Sequence, residues 1–358
     1  MSLSERTYCL DYRVWVSTVK SRRKKSKSSG GVVSKMRLDG VDEDLQGLLD
    51  EDLDQAPARR RVREAFKEIQ LGIDHCLLRA SYPGVKMMEM YGVNSRGLEI
   101  FSKSWLPETS PVKAIVCFCH GYGDTCTFFF EGIAKKLASS GYGVFAMDYP
   151  GFGLSEGLHG FIPSFDRLVD DVVEHFSKVK VALKVHLKQP LSWSGAILVA
   201  PMCKIADDMV PSWLVTQVLI GMAKLLPKGK LVPQKDFGEM AFRDLKKRKM
   251  TPYNVIAYKG KPRLGTALEL LRTTQAIEHQ LEEISLPLLI LHGKADTVTD
   301  PSVSKALYEK ANSSDKKLLL YEGACHALLE GESDEMIFQI LDDIVSWLDK
   351  HNVRDTHC

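Results

Sequence analysis

None of the eight cysteines stands in a CxxC pair, and their spacing follows no regular pattern. That absence argues against a structural zinc site and against a disulfide framework. Several, Cys117 and Cys119 among them, sit in apolar runs where cysteine behaves as a small hydrophobe. The set suits a reducing compartment, and neither a metal nor a cofactor is expected. An excess of one charge is missing too. Lys and Arg number 48 against 46 Asp and Glu, net +2, so no nucleic-acid partner is indicated. The N-terminus has no continuous apolar stretch of the kind a secretory signal needs. No apolar run reaches bilayer length either; the nearest, Trp213 to Leu226, is short and holds Gln217 and Lys224. The expected location is therefore cytoplasmic or at a membrane surface. The Ser, Arg and Lys content near the start is compatible with plastid targeting, against which Glu5 and Asp11 count.

What the chain does have is an organising stretch from Val112 to Asp124. An apolar, β-branched and aromatic run ends in His120-Gly121-Tyr122-Gly123, which reads as a buried strand stopping in a tight loop. Glycines there let backbone N–H groups face a ligand with no side chain in the way. A loop at the carboxyl end of a parallel strand lies where open α/β sheets bind ligands. Fixed donors at that place are what an oxyanion hole requires, though the same four residues would equally make a plain strand-to-helix turn.

In chain order, residues 1–57 read as a disordered charged tail. Ser21 to Gly31 is basic and Asp39 to Asp54 acidic, and adjacent blocks of opposite charge are usually solvated. Ala58 to Gln70 patterns as an amphipathic helix with Val62, Phe66 and Ile69 on one face. Val85–Val93 and Leu98–Trp105 alternate around Asn94-Ser-Arg-Gly97, a hairpin. Strands follow at Val112, at Gly143–Asp148, at Gly195–Pro201, at Leu286–Leu291 and at Lys317–Tyr321. Helices lie between them, including Phe165 to about Val179 behind Ser164 and Ser333–Lys350 at the end. Residues 202–284 show helical segments and prolines but no strand, the mark of an inserted helical cap. The expected fold class is thus α/β: a doubly wound, mostly parallel sheet over residues 58–358 with that cap inserted.

With these residues in place the chain resembles an α/β-hydrolase of the monoacylglycerol lipase and lysophospholipase-like branch, the plant acylglycerol lipase type. The resemblance spans about residues 85–350. It rests on His120-Gly-Tyr-Gly, on Asp148-Tyr-Pro-Gly-Phe-Gly-Leu-Ser155, on Leu291-His-Gly-Lys-Ala-Asp296, and on His326 after the last strand. It implies that Asp296 orients the imidazole of His326, the general base, and that the Tyr122 N–H is an oxyanion donor. It also implies an acyl-ester lipid substrate (a monoacylglycerol, a lysophospholipid or a relative) and peripheral membrane contact through the cap.

One part of the pattern is absent. In this family a Gly-x-Ser-x-Gly elbow and its strand lie between two helices that here abut at Lys180-Val181. A strand, an elbow and a loop need roughly 15–20 residues, and none are present. The central strand and the nucleophile are expected to be deleted, and removing a nucleophile of this kind costs on the order of 10⁶ in rate. The string Gly153-Leu-Ser155-Glu-Gly157 is a poor substitute, since no strand runs directly into Ser155 and no helix leaves directly from it. Two readings follow: an acyl-ester hydrolase by ancestry, or a non-catalytic product of the same family. The second could be a shortened splice form, a gene-model error or a binding-only pseudoenzyme.

Overall fold

The computed structural model describes residues 7–12, 37–182, 193–203, 212–232 and 238–352. Its strands are β1 (Thr7–Tyr12), β2 (Val85–Val93), β3 (Glu99–Pro107), β4 (Ile115–Cys119), β5 (Gly143–Met147), β6 (Gly195–Val199), β7 (Leu288–Gly293) and β8 (Lys316–Tyr321). All eight join one sheet in the order β2-β3-β5-β4-β1-β6-β7-β8. The β2–β3 and β3–β5 pairs are antiparallel, and every other neighbouring pair is parallel. The β2–β3 hairpin closes at Gly97, whose φ of 77° only glycine adopts without strain.

Helices α1 (Glu43–Leu48), α2 (Ala56–Ala65), α3 (Lys67–Leu71) and α4 (Cys76–Arg79) precede β2. Next come α5 (Phe129–Ser139) and α6 (Phe165–Ala182). The stretch between β6 and β7 holds α7 (Trp213–Leu225), α8 (Gly238–Ala241), α9 (Leu245–Arg248) and α10 (Leu264–His279), with no strand among its described residues. Helices α11 (Pro301–Lys310) and α12 (Asp334–His351) complete the chain order.

Strands buried on both faces explain the unbroken apolar runs. In β4, Val116 and Phe118 face one layer, with Ile133 and Leu137 of α5 and Ile340 and Ile344 of α12. Ile115 and Cys117 face the other, with Leu168 and Phe176 of α6. Alternate residues of a strand point to opposite faces, so both must be apolar when helices cover both. Each of these large side chains contributes roughly 1.5–3 kcal/mol by leaving water.

Two expectations need correction. The tail expected over residues 1–57 is largely part of the fold where it is described. Thr7–Tyr12 is a strand in mid-sheet, Leu38 is buried in the core, and Ala56, the first residue of α2, is buried as well. Six β-prone residues suffice for a strand when ladders wait on both sides, and charge blocks elsewhere in the segment hide so short a signal. The basic Ser21–Gly31 cluster lies outside the described residues. The second correction concerns the central place in the sheet, expected to be vacant. β1 fills it, pairing Thr7–Asp11 with Ile115–Cys119 and Tyr8–Tyr12 with Gly195–Val199. At the seam itself α6 continues through Lys180 and Val181 to Ala182, and residues 183–192, over which the second of the two expected helices would run, lie outside the described residues.

Candidate active site

Two strand ends bring Asp296 and His326 together. β7 ends at Gly293, and the turn behind it is tied to the loop after β8 by Ala295 N–H donating to Ala324 O at 2.9 Å. A Cβ on Gly293 would sit 2.3 Å from Ala324 O and 2.5 Å from Cys325 O, so only glycine lets the two loops meet. Across that contact His326 Nδ1 lies 2.8 Å from Asp296 Oδ2. Both residues are buried.

Asp296 is the most fully hydrogen-bonded carboxylate of the site. Oδ1 accepts from the backbone N–H of Val298 at 2.7 Å and of Thr299 at 3.0 Å. Oδ2 accepts from His326, from the Thr299 hydroxyl at 2.8 Å and from His292 Nε2 at 3.1 Å. Burial by itself would raise its pKa. The His326 charge and the hydrogen bonds of His292, His326 and Thr299 outweigh it and hold the carboxyl far below the usual range. Asp296 therefore stays ionised and keeps the proton of His326 on Nδ1. That leaves Nε2 as the basic nitrogen. Nε2 is buried and has no hydrogen-bond partner among the described residues.

His292 and Thr299 escaped the sequence reading. His292 lies on β7, four residues before Asp296, wholly buried, with Nδ1 2.6 Å from Ser304 Oγ. Its Nε2 faces only acceptors at close range, Asp296 Oδ2 and Thr299 O at 3.1 Å, so that nitrogen carries the proton. The Leu-His-Gly string contained this histidine, but nothing in a linear pattern shows that its ring turns onto the following aspartate.

The His120–Gly123 loop leaves the end of β4 as expected. His120 Nε2 accepts from Tyr149 N–H at 3.1 Å while Nδ1 lies 2.8 Å from Gly121 O. An N–H can only donate and a carbonyl only accept, which makes this ring neutral with its proton on Nδ1. Gly123 has φ of 88°, and its carbonyl accepts from Tyr258 N–H at 2.7 Å, so the helical insertion is bonded directly to the loop. The Tyr122 hydroxyl donates to Gly160 O at 3.2 Å. Gly121 and Tyr122 thus follow β4, at the carboxyl edge of the sheet.

Ser155 has other duties. Its buried hydroxyl donates to Asp148 O at 2.6 Å and accepts from Phe101 N–H at 2.9 Å. The surrounding loop is clamped from both sides. Asp148 Oδ2 accepts from Leu154 N–H at 2.8 Å, and the buried Arg59 guanidinium donates to the carbonyls of Gly153 and Ser155, each at 2.6 Å. A Cβ on Gly153 would lie 2.0 Å from Asp148 Oδ2, so this glycine serves close packing and not an elbow. None of Ser155's hydrogen bonds leads to His326. β1 supplies no replacement from its own sequence, because Arg13-Val-Trp-Val follows Tyr12 and the next serine is Ser17. Among the described residues no group of three or more His, Cys, Asp or Glu side chains could hold a metal ion.

Comparison with known proteins agrees with this architecture. The family profile described as serine aminopeptidase, S33, matches residues 110–182 and 179–334, two segments that meet at the seam beside Lys180-Val181. Caffeoylshikimate esterase of Arabidopsis thaliana is 33% identical over 294 residues, 75% of this chain and 86% of that protein. Monoglyceride lipase of Mus musculus is 29% identical over 281 residues, 72% of this chain and 88% of that protein. Among solved structures, a soluble variant of the Saccharomyces cerevisiae monoglyceride lipase superposes with a TM-score of 0.65 at 20% identity, covering 77% of this chain and 99% of that one. The chain belongs to the serine aminopeptidase S33 family of α/β-hydrolases, the family of its monoglyceride lipase and esterase relatives.

Proposed function

We propose that this chain is a non-catalytic, acyl-ester-binding member of its hydrolase family. The observation that carries the reading is the state of His326: Nδ1 is held by Asp296, and the buried Nε2 meets no hydroxyl among the described residues. Serine acyl transfer needs a nucleophile within roughly 3 Å of that nitrogen to give up its proton as it attacks. The residue after such a serine also supplies the second oxyanion donor, so one deletion removes both. What persists is a binding apparatus: the glycine loop, the helical insertion bonded to it, and a buried acid–base pair. The relatives named above are lipases of monoglycerides and an esterase of caffeoylshikimate. The class of ligand proposed here is accordingly an acyl ester, with monoacylglycerols and lysophospholipids first among them.

A fluorophosphonate probe tests the reading. No labelling of this chain is expected, whereas a form with a Gly-x-Ser-x-Gly segment restored between α6 and β6 should label strongly and prefer medium or long acyl chains over acetate. Labelling of the present chain that Ser155→Ala abolishes would sink the proposal. A non-hydrolysable monoacylglycerol ether that fails to raise the melting temperature at saturating concentration would sink its binding half.

A further inference from the structure

β1 differs from the other seven strands in how it reaches the sheet. Those seven follow one another from residue 85 onward, whereas β1 comes from residues 7–12 and takes a central position. Its register is continuous on both sides, five residues against β4 and five against β6. β4 and β6 do not pair with each other. Without β1 the sheet would be two sheets, β2-β3-β5-β4 and β6-β7-β8, each with a raw edge in the interior. Ile115 to Phe118 and Ile197 and Val199 on those edges are buried, so water could not satisfy the backbone groups exposed.

We propose that residues 7–12 are a donor strand which the chain supplies to its own sheet, filling an acceptor slot between β4 and β6. Such a slot recognises extended backbone: the ladder provides affinity, and the period of two selects side chains that suit a layer on each face. Thr-Tyr-Cys-Leu-Asp-Tyr is β-prone and has no glycine or proline to interrupt pairing. The occupant is the chain's own segment because covalent attachment gives it an effective concentration in the millimolar range or so, which a free strand in trans would have to match. This assignment is independent of whether the site binds or cleaves esters. It restores the ladder without restoring a nucleophile.

Hydrogen exchange on the full chain, read by mass spectrometry, tests it. Amides of Tyr8–Tyr12 should exchange about 100-fold or more slower than in the unfolded chain, in step with β4 and β6. Leu10→Pro removes one ladder N–H and should release protection in β4 and β6 together with β1. Leu3→Pro, outside the strand, should leave all three protected. Exchange of Tyr8–Tyr12 at unfolded rates while β4 and β6 stay protected would overturn the proposal. Equal effects of the two prolines would overturn it as well. Protection confined to a concentration-dependent dimer would overturn the assignment to the chain's own strand in favour of exchange between two copies.

Discussion

Asp124 follows the His120–Gly123 loop and accepts from Asn254 Nδ2 at 3.3 Å, beside a cavity of about 10 Å³. Burial first, and the nearby Asp148 charge, push its pKa up to about 7, against the Thr125 N–H and Asn254 bonds that lower it. Its folded pKa thus lies above the unfolded one. Between about pH 4 and 7 the unfolded chain is ionised there while the folded chain still holds the proton, so this group makes stability fall as pH rises. Asp124→Asn should remove that slope and stabilise the protein at neutral pH, by about 4 kcal/mol at most. Urea midpoints at pH 5 and pH 7.5 measure it, and an unchanged slope would contradict the assignment. Ser155→Ala should leave the probe result untouched yet cost roughly 1–3 kcal/mol, because it strands the Phe101 N–H and Asp148 O. Legibility divides at this scale. Asp296 and His326 could be read because each stands in the loop that follows a strand, β7 and β8 respectively. His292 and Thr299 could not, because their role is a ring orientation and a hydroxyl direction that arise only when two loops touch.

At the scale of elements, the segment before α2 behaves as a clamp. Asp54 accepts from the buried Arg263 at 2.7 Å and from Lys230 at 3.0 Å, joining the N-terminal region to the helical insertion. Arg263 also donates to His159 O at 2.9 Å, so one guanidinium ties three parts of the chain together. Asp54→Ala leaves that guanidinium without its carboxylate and should cost roughly 1.5–3 kcal/mol. Limited proteolysis should show the loss first as faster cutting around α7. Burial raises the Asp54 pKa and the two cations more than offset it, so its net shift is downward. Its contribution is present above the ordinary carboxylate range and is lost as pH falls through the lowered value. A chain beginning at residue 58 should melt markedly lower than the full chain; an unchanged melting temperature would revive the tail reading. The longer helices α6, α10 and α12 followed from apolar periodicity, and the five-residue strands β4, β5 and β6 from unbroken apolar runs rather than from a period. α1 and β1 have six residues each, too few for a period to stand out against charged neighbours.

Over the whole molecule, the apolar surface is uneven. On α7, Trp213 is 74% exposed and Leu225 82%, with Leu214 and Val218 also open. No helix of the described residues is long and apolar enough to cross a membrane. A short apolar helix lying open on a surface suits insertion into the headgroup boundary of a bilayer, and peripheral contact there is the expected behaviour. Vesicle co-sedimentation should fall at least tenfold for the Leu214→Ser, Leu225→Ser double variant, with melting temperature unchanged because neither side chain is buried. Equal sedimentation of the two proteins would remove the membrane from this account.

The sequence by itself determined the alternation of strands and helices and the strings that follow strand ends, His120-Gly-Tyr-Gly, Asp296 and His326 among them. All of these are local: a period, a glycine, a string of residues at a strand end. Tertiary structure alone decided which strand completes the sheet, because a ladder partner is chosen by what lies on either side and not by proximity along the chain. It also decided that Ser155 is a backbone brace and that Nε2 of His326 meets no hydroxyl among the described residues. A side chain's chemistry depends on its neighbours in space, and for Ser155 and His326 those include residues far along the chain, Arg59 and Phe101 for the one and Asp296 for the other.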